Sequence, residues 1–187
     1  MDWEVGASGY AAVWAVDNSR EAIFDAMKRR ETYATTGPRM AVRLFGGWDF
    51  EARDAANRMP AEIGYTKGVP MGGEVSKAPA GKAPTFLVAA LKDPIGANLD
   101  RIQVVKGWLD AKGEVQEKVY DVAWSGDRKA DPKTGKVPTV ASEPSTWRGR
   151  PRAFWASSAP AGWRAPTLPP SAWLGTTGPR GAAVRRR

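Results

Sequence analysis

The stretch Asp17–Phe45, "DNSREAIFDAMKRRETYATTGPRMAVRLF", passes from a helical to an extended pattern and so decides the fold class. Asn18 is followed three residues later by Glu21, an Asx version of the capping box. In that box the Asn18 side chain accepts from a free backbone N–H and Glu21 reaches back. Ile23, Ala26 and Met27 fall at i, i+3 and i+4 and make one apolar stripe. Lys28, Arg29 and Arg30 sit where cations complement the negative end of a helix dipole. The spacing predicts a helix over about 19–31. "TYATTGPR" (Thr32–Arg39) then reads as a connector, because Gly37 favours turns and Pro38 pushes its predecessor out of the helical region. Met40, Val42 and Leu44 alternate with Ala41, Arg43 and Phe45, which predicts a strand of about six residues ended by Gly46-Gly47.

Upstream, "GYAAVWAV" (Gly9–Val16) reads as a buried strand or loop packed on that helix. Downstream, "DFEARDAANRMP" has room for one or two helical turns. "YTKGVPMGGEVSKAPAGKAP" is a Gly/Pro/Lys-rich loop with one short edge strand at most. "PTFLVAAL" (Pro84–Leu91) is a continuous apolar run bounded by proline and predicts a buried strand. "RIQVVKGWLDAKGEVQEKVYDVAWS" (Arg101–Ser125) predicts a hairpin, with strands near 101–109 and 115–124 and a turn over Asp110–Glu114 that carries Gly113. On its second strand Lys118, Tyr120, Val122 and Trp124 share one face, and Glu117, Val119, Asp121 and Ala123 the other. The fold class is α+β: one N-terminal amphipathic helix, then an incomplete β-rich, sandwich-like region, then a disordered tail.

The 187 residues suffice for one domain, or one domain and a tail. No run of about 18 apolar residues is present, so no membrane-spanning helix is expected. "MDWEVGASGY" carries two acids and no base, unlike a secretory signal. The chain is therefore expected to be cytoplasmic as written or to lack its natural start, and the compartment is left open. The absence of Cys removes disulfides and thiolate nucleophiles, and the absence of His removes the commonest neutral-pH base and metal ligand. A Ser-His-Asp or Cys-His site is impossible. An all-carboxylate site for a hard cation is not.

The net charge of +8 suggests nucleic acid until it is located. Residues 1–143 hold 20 Lys+Arg against 20 Asp+Glu, whereas residues 144–187 hold 8 Arg and no Lys, Asp or Glu. That tail also holds 7 Pro, which would interrupt any helix or strand, and its residues are largely those of GC-rich codons. It is read as an aberrant, off-frame product of a GC-rich gene. "WRGRPRAFW" interleaves Arg with aromatic rings, as single-strand binders do. No recognised module surrounds it, so weak, non-specific polyanion binding is expected and no specific nucleic-acid partner. The pentapeptide TTGPR occurs at Thr35–Arg39 and again at Thr176–Arg180, but the flanks share nothing and no repeat unit accompanies either copy.

Three groups are candidates for chemistry. Asp49, Glu51 and Asp54 are the densest acidic set between strands, but their spacing matches no calcium loop, and a solvated loop is the stronger reading. Lys67, Gly68, Gly72 and Gly73 in "KGVPMGGEV" could cradle a phosphate only with a strand before and a helix after. No P-loop spacing is present, and a turn entering a strand is favoured. Thr35, Thr36 and Arg39 could bind an anion, but the hydroxyls more naturally cap the helix end or the turn while Arg39 opens a strand.

Several longer segments together, "SGYAAVWAVDNSREAIFDAMKRRETYATTGPRMAVRLFGGWDF", "GYTKGVPMGGEV", "APTFLVAALKDPIGANLDRIQVVKGWLD" and "EKVYDVAWSGDRK", resemble the C-terminal part of an uncharacterised bacterial family, a domain of unknown function. That family is in turn similar to the polymerase-and-histidinol-phosphatase (PHP) metal-dependent hydrolases. The resemblance runs from about residue 8 to 138. It implies a distorted (β/α) barrel whose divalent-metal ligands lie on His, Asp and Glu motifs upstream of this region. The chain is then expected to be a truncated, catalytically silent fragment. Residues 1–38 would be the terminal piece of the barrel with its last helix, 39–138 the β-rich C-terminal region, and 139–187 the aberrant tail. No catalytic, cofactor-binding or metal residue carries over, and no cofactor is expected. The alternatives are a small β-rich binding or interaction module and a basic-tail nucleic-acid binder. An unfinished set of strands and a lone helix leave apolar surface uncovered. Trp14, Phe45, Trp108 and Trp124 are therefore expected to be exposed, and the chain to self-associate.

Overall fold

A computed structural model describes residues 9–139 and, as backbone alone, Ala153–Ala156. The elements in order are β1 (Tyr10–Val13), α1 (Arg20–Lys28), β2 (Thr32–Thr35), β3 (Ala41–Gly47), α2 (Ala52–Ala55), α3 (Pro60–Lys67), β4 (Gly68–Pro70), β5 (Thr85–Leu91), β6 (Arg101–Leu109), β7 (Val115–Trp124) and β8 (Ala153–Ala156). The fold is α+β, with antiparallel sheets of two, four and two strands.

The helix is shorter than 19–31, and its caps explain why. Ser19, not Asn18, is the N-cap: its hydroxyl accepts from the Ala22 N–H at 3.2 Å, and the Asp17 carboxylate in turn accepts from the Ser19 N–H at 2.9 Å. At the other end Arg30 adopts φ 63, and Glu31 N–H donates to Ala26 O while Arg30 N–H donates to Met27 O. That is the paired Schellman closure, here without its usual glycine.

The segment after α1 is a strand as well as a connector. Thr32–Thr35 pairs antiparallel with Tyr10–Val13, from Val13↔Thr32 to Tyr10↔Thr35. An N–H donation from Trp14 to Glu31 O at 2.9 Å extends the ribbon toward the helix.

The four-stranded sheet has the order β4-β3-β5-β8. Gly46 and Gly47, expected to end their strand, are its last two residues and are paired on both edges, opposite Val69 and Gly68 on one side and Phe86 and Thr85 on the other. The core of this sheet is Phe45, Phe50 and Leu87, flanked by Ala55, Ala61 and Ile63. Helix α3 was not expected at all. It starts on Pro60, whose fixed φ suits the first helical turn, and it reaches the core through Gly64. A Cβ on Gly64 would stand 2.4 Å from the Phe45 ring.

The hairpin matches the expected strands and turn. Asp110 organises the turn by accepting from the Lys112 and Glu114 N–H groups. The register shifts between Ile102↔Ala123 and Gln103↔Asp121, which leaves Val122 as the extra residue of a bulge and breaks the strict alternation expected along this strand. Arg101 and Arg128 then fasten residues 125–139 to the hairpin. Arg101 donates to the carboxylates of Asp100 and Asp121 and to Val137 O. Arg128 donates to the Asp100 carboxylate, to the Asp100 and Ser125 carbonyls and to Pro138 O.

The exposed apolar residues are not the expected ones. Phe45 is only 2% exposed, and Trp14, Trp108 and Trp124 are half-buried. Val16, Phe24, Met27, Ile95, Val105 and Val115 face solvent instead. The expectation of an irregular tail lies outside the described residues, with one exception: Ala153–Ala156, expected to lack regular structure, pairs antiparallel with Phe86–Ala89 of β5.

Candidate functional site

The three acids expected as a loop cluster do not converge. Asp54, in the first turn of α2, is 4% exposed and accepts from Lys67 Nζ at 2.9 and 2.8 Å through its two oxygens. One oxygen also accepts from the Glu51 N–H at 2.8 Å. Burial alone would push this carboxyl up, but Lys67 and the Glu51 N–H more than offset it and hold the carboxyl below its ordinary value. Asp49 pairs with Lys82 and Glu51 with Arg53, both at the surface. Only Asp54 departs from the solvated-loop reading, since it is a buried structural acid.

No group of three or more His, Cys, Asp or Glu among the described residues is placed to hold a metal ion.

The glycine-rich stretch is a turn leaving β4, not one entering a strand. Lys67 is already engaged by Asp54. Gly72 takes φ +83, where an L side chain is strained, and a Cβ there would stand 2.4 Å from Arg30 O. Gly68 and Gly73 allow close packing against Phe50 and Val69. The glycines serve backbone approach, and among the described residues no helix comes after them to receive a phosphate.

At the first TTGPR, Thr35 ends β2 and its hydroxyl accepts a long, weak bond from Gly37 N–H at 3.5 Å. The hydroxyl caps the turn, and the helix end is closed by backbone alone. Arg39 precedes the strand by two residues. Its N–H donates to Asp93, and its guanidinium lies 5.9 Å from the Tyr10 ring centre.

Beside that turn stands a cluster that sequence reasoning missed. The Arg43 guanidinium lies 3.9 Å from the Trp14 ring centre, 5.5 Å from that of Tyr65 and 5.9 Å from that of Phe45. Trp14 is held in place by donating its indole N–H to Val42 O at 3.0 Å. Glu31, the nearby buried acid, is occupied by Arg29 Nε at 2.9 Å and by the Tyr65 hydroxyl. Burial and the hydrogen bond to Glu31 raise the Tyr65 pKa above its ordinary value. The only signal for this cluster in the sequence is an arginine at an alternating position in an otherwise apolar strand.

The profile of a family described as "Protein of unknown function (DUF3604)" matches residues 1–151. The chain belongs to this family. The DUF3604 match includes every element from β1 to β7 and continues to Pro151, past the point near 138 where the resemblance was expected to stop. No curated protein matches the chain, and no solved structure does.

Proposed function

We propose that this DUF3604 chain is the non-catalytic, C-terminal β-rich part of a PHP-like metal-dependent hydrolase, held against the rest of that enzyme through α1. The observation that carries this reading is the exposed apolar side of α1. The helix buries Ala22 and Ala26, while Phe24 is 64% and Met27 53% exposed. Ile23, Phe24 and Met27 share an open face of the helix with Arg20 and Glu21. Covering a Phe or Met side chain contributes about 1.5–3 kcal/mol each, so this face favours a partner surface. The PHP resemblance supplies one, because it makes α1 the last helix of a barrel. The lack of any histidine supports placing the metal chemistry on residues outside this chain.

The test is co-expression of the full chain with the histidine-bearing segment of a longer DUF3604 homologue. Co-purification is expected, and Phe24→Glu with Met27→Glu should abolish it while leaving the far-UV spectrum intact. Failure of the two to associate, or association indifferent to both substitutions, would overturn the reading.

A second reading, a small β-rich binding module, is favoured by the Arg43 cluster.

A further inference from the structure

We infer that Arg43 is the anchor of an oxyanion-binding site at the seam between the β1–β2 ribbon and α3, receiving a carboxylate, phosphate or sulfate group of a ligand. The inference is independent of the hydrolase reading. Arg43 Nε is buried and has no hydrogen-bond partner, and no ion pair reaches the guanidinium among the described residues. A buried charged donor without an acceptor is costly, and such groups in native proteins usually have a reason. Glu31, a buried acid that shares Tyr65 with it as a neighbour, is committed to Arg29 and Tyr65.

The rings prepare the guanidinium for an in-plane partner. Trp14 lies against it at 3.9 Å, which fixes its orientation without using its N–H groups. Stacking on a ring uses none of the in-plane N–H groups through which arginine grips two oxygens of one anion. Tyr65 is 48% exposed, so the seam is open on the α3 side.

A second cation extends the site. Tyr10, placed opposite Thr35, and Tyr33, placed opposite Ala12, lie on one face of the ribbon. Tyr33 also touches Trp14, with ring centres 6.0 Å apart. Arg39 rests near Tyr10 as Arg43 rests on Trp14. The ring faces are thus occupied by the protein's own cations, which favours an anionic group over a base stacked on a ring.

The test uses the full chain labelled with 15N at arginine, titrated separately with inorganic phosphate, sulfate and acetate at constant ionic strength set by chloride. The Nε–H signal of Arg43, assigned by its loss in Arg43→Lys, should shift saturably with at least one of the three anions and not with chloride. Arg43→Gln should weaken that binding at least tenfold, and Arg39→Gln by a smaller factor. Which anion saturates decides between a carboxylate and a phosphate or sulfate ligand. If Arg43→Gln unfolds, Arg43→Lys serves in its place: it keeps the charge and loses the fork, and the same weakening is expected. No saturable shift with any of the three, or equal shifts with chloride, would mean that water alone solvates this guanidinium and would overturn the inference.

Discussion

Lys67 Nζ lies within 2.9 Å of both carboxylate oxygens of Asp54, across 13 residues of chain that include all of α3. This pair fastens the end of α3 to the start of α2 beside the Phe45–Phe50–Leu87 core. The two partners are not equally buried: the Asp54 side chain is 5% exposed and that of Lys67 31%. Removing the lysine strands a buried anion, whereas removing the acid leaves a cation that water can reach. Lys67→Met should therefore cost about 3 kcal/mol and Asp54→Asn about 1–2 kcal/mol. Urea denaturation of both variants and of the double variant checks this, with the double expected to lose less than the sum.

Gly64 is required by Phe45 and not by its own backbone. Alanine at a mid-helix glycine ordinarily stabilises by about 1 kcal/mol. Here its Cβ would stand 2.4–2.6 Å from three atoms of a ring that is 2% exposed and has nowhere to go. Gly64→Ala should destabilise the chain by about 2 kcal/mol net. Adding Phe45→Leu should recover part of that loss, as read by thermal melts of the single and double variants.

The carboxyls of Asp100 and Asp121 are also held below their ordinary value of 3.8. For Asp100 the Arg101 hydrogen bond is the main cause. For Asp121 it is the Val137 N–H, with Gln103 next. A depressed folded-state pKa means that the unfolded chain binds the proton first. The stability these groups contribute, together with that from Asp54, is whole above about pH 5 and is lost as pH falls through 4 and below. Denaturation midpoints at pH 7, 5, 4 and 3 should be flat and then fall. Asp121→Asn should lower the midpoint at pH 7 and flatten the acid limb.

Arg128 binds three groups of Asp100 and Pro138: the Asp100 carboxylate at 2.6 Å, the Asp100 carbonyl at 2.7 Å and the Pro138 carbonyl at 2.8 Å. Residues 126–139 have no regular structure, so this arginine shares the work of holding them with Arg101 and Asp121. Arg128→Ala should raise amide exchange at Ser125 and Val137 by tenfold or more, while amides in the middle of the hairpin, such as Val119, stay protected. Exchange followed by mass spectrometry or NMR reads the difference.

Local pattern carried the hairpin, because alternation, a five-residue turn and cross-strand partners all lie within one stretch. It carried the existence of α1 and part of its buried side. The i, i+3, i+4 stripe of Ile23, Ala26 and Met27 predicted the buried side, and the structure buries Ala22 and Ala26 and leaves Met27 out. Elements that depend on distant partners were illegible. β2 is a strand only because β1 pairs with it, and Gly46-Gly47 stays extended because β4 and β5 hold both its edges. Helix α3 has a glycine at its centre and almost no apolar periodicity, so its warrant is the Phe45 contact. The Arg43 site was illegible for the same reason, since Trp14 and Tyr65 reach it from 29 residues upstream and 22 downstream.

That metal chemistry belongs to another part of a PHP-like enzyme is tested most directly by calorimetric titration of Mn2+ and Zn2+ into the full chain. Hydrolysis of p-nitrophenyl phosphate is followed in the same samples. No saturable heat in the micromolar range is expected, and no turnover above that of the metal alone. Micromolar binding of either metal accompanied by hydrolysis would contradict the proposal.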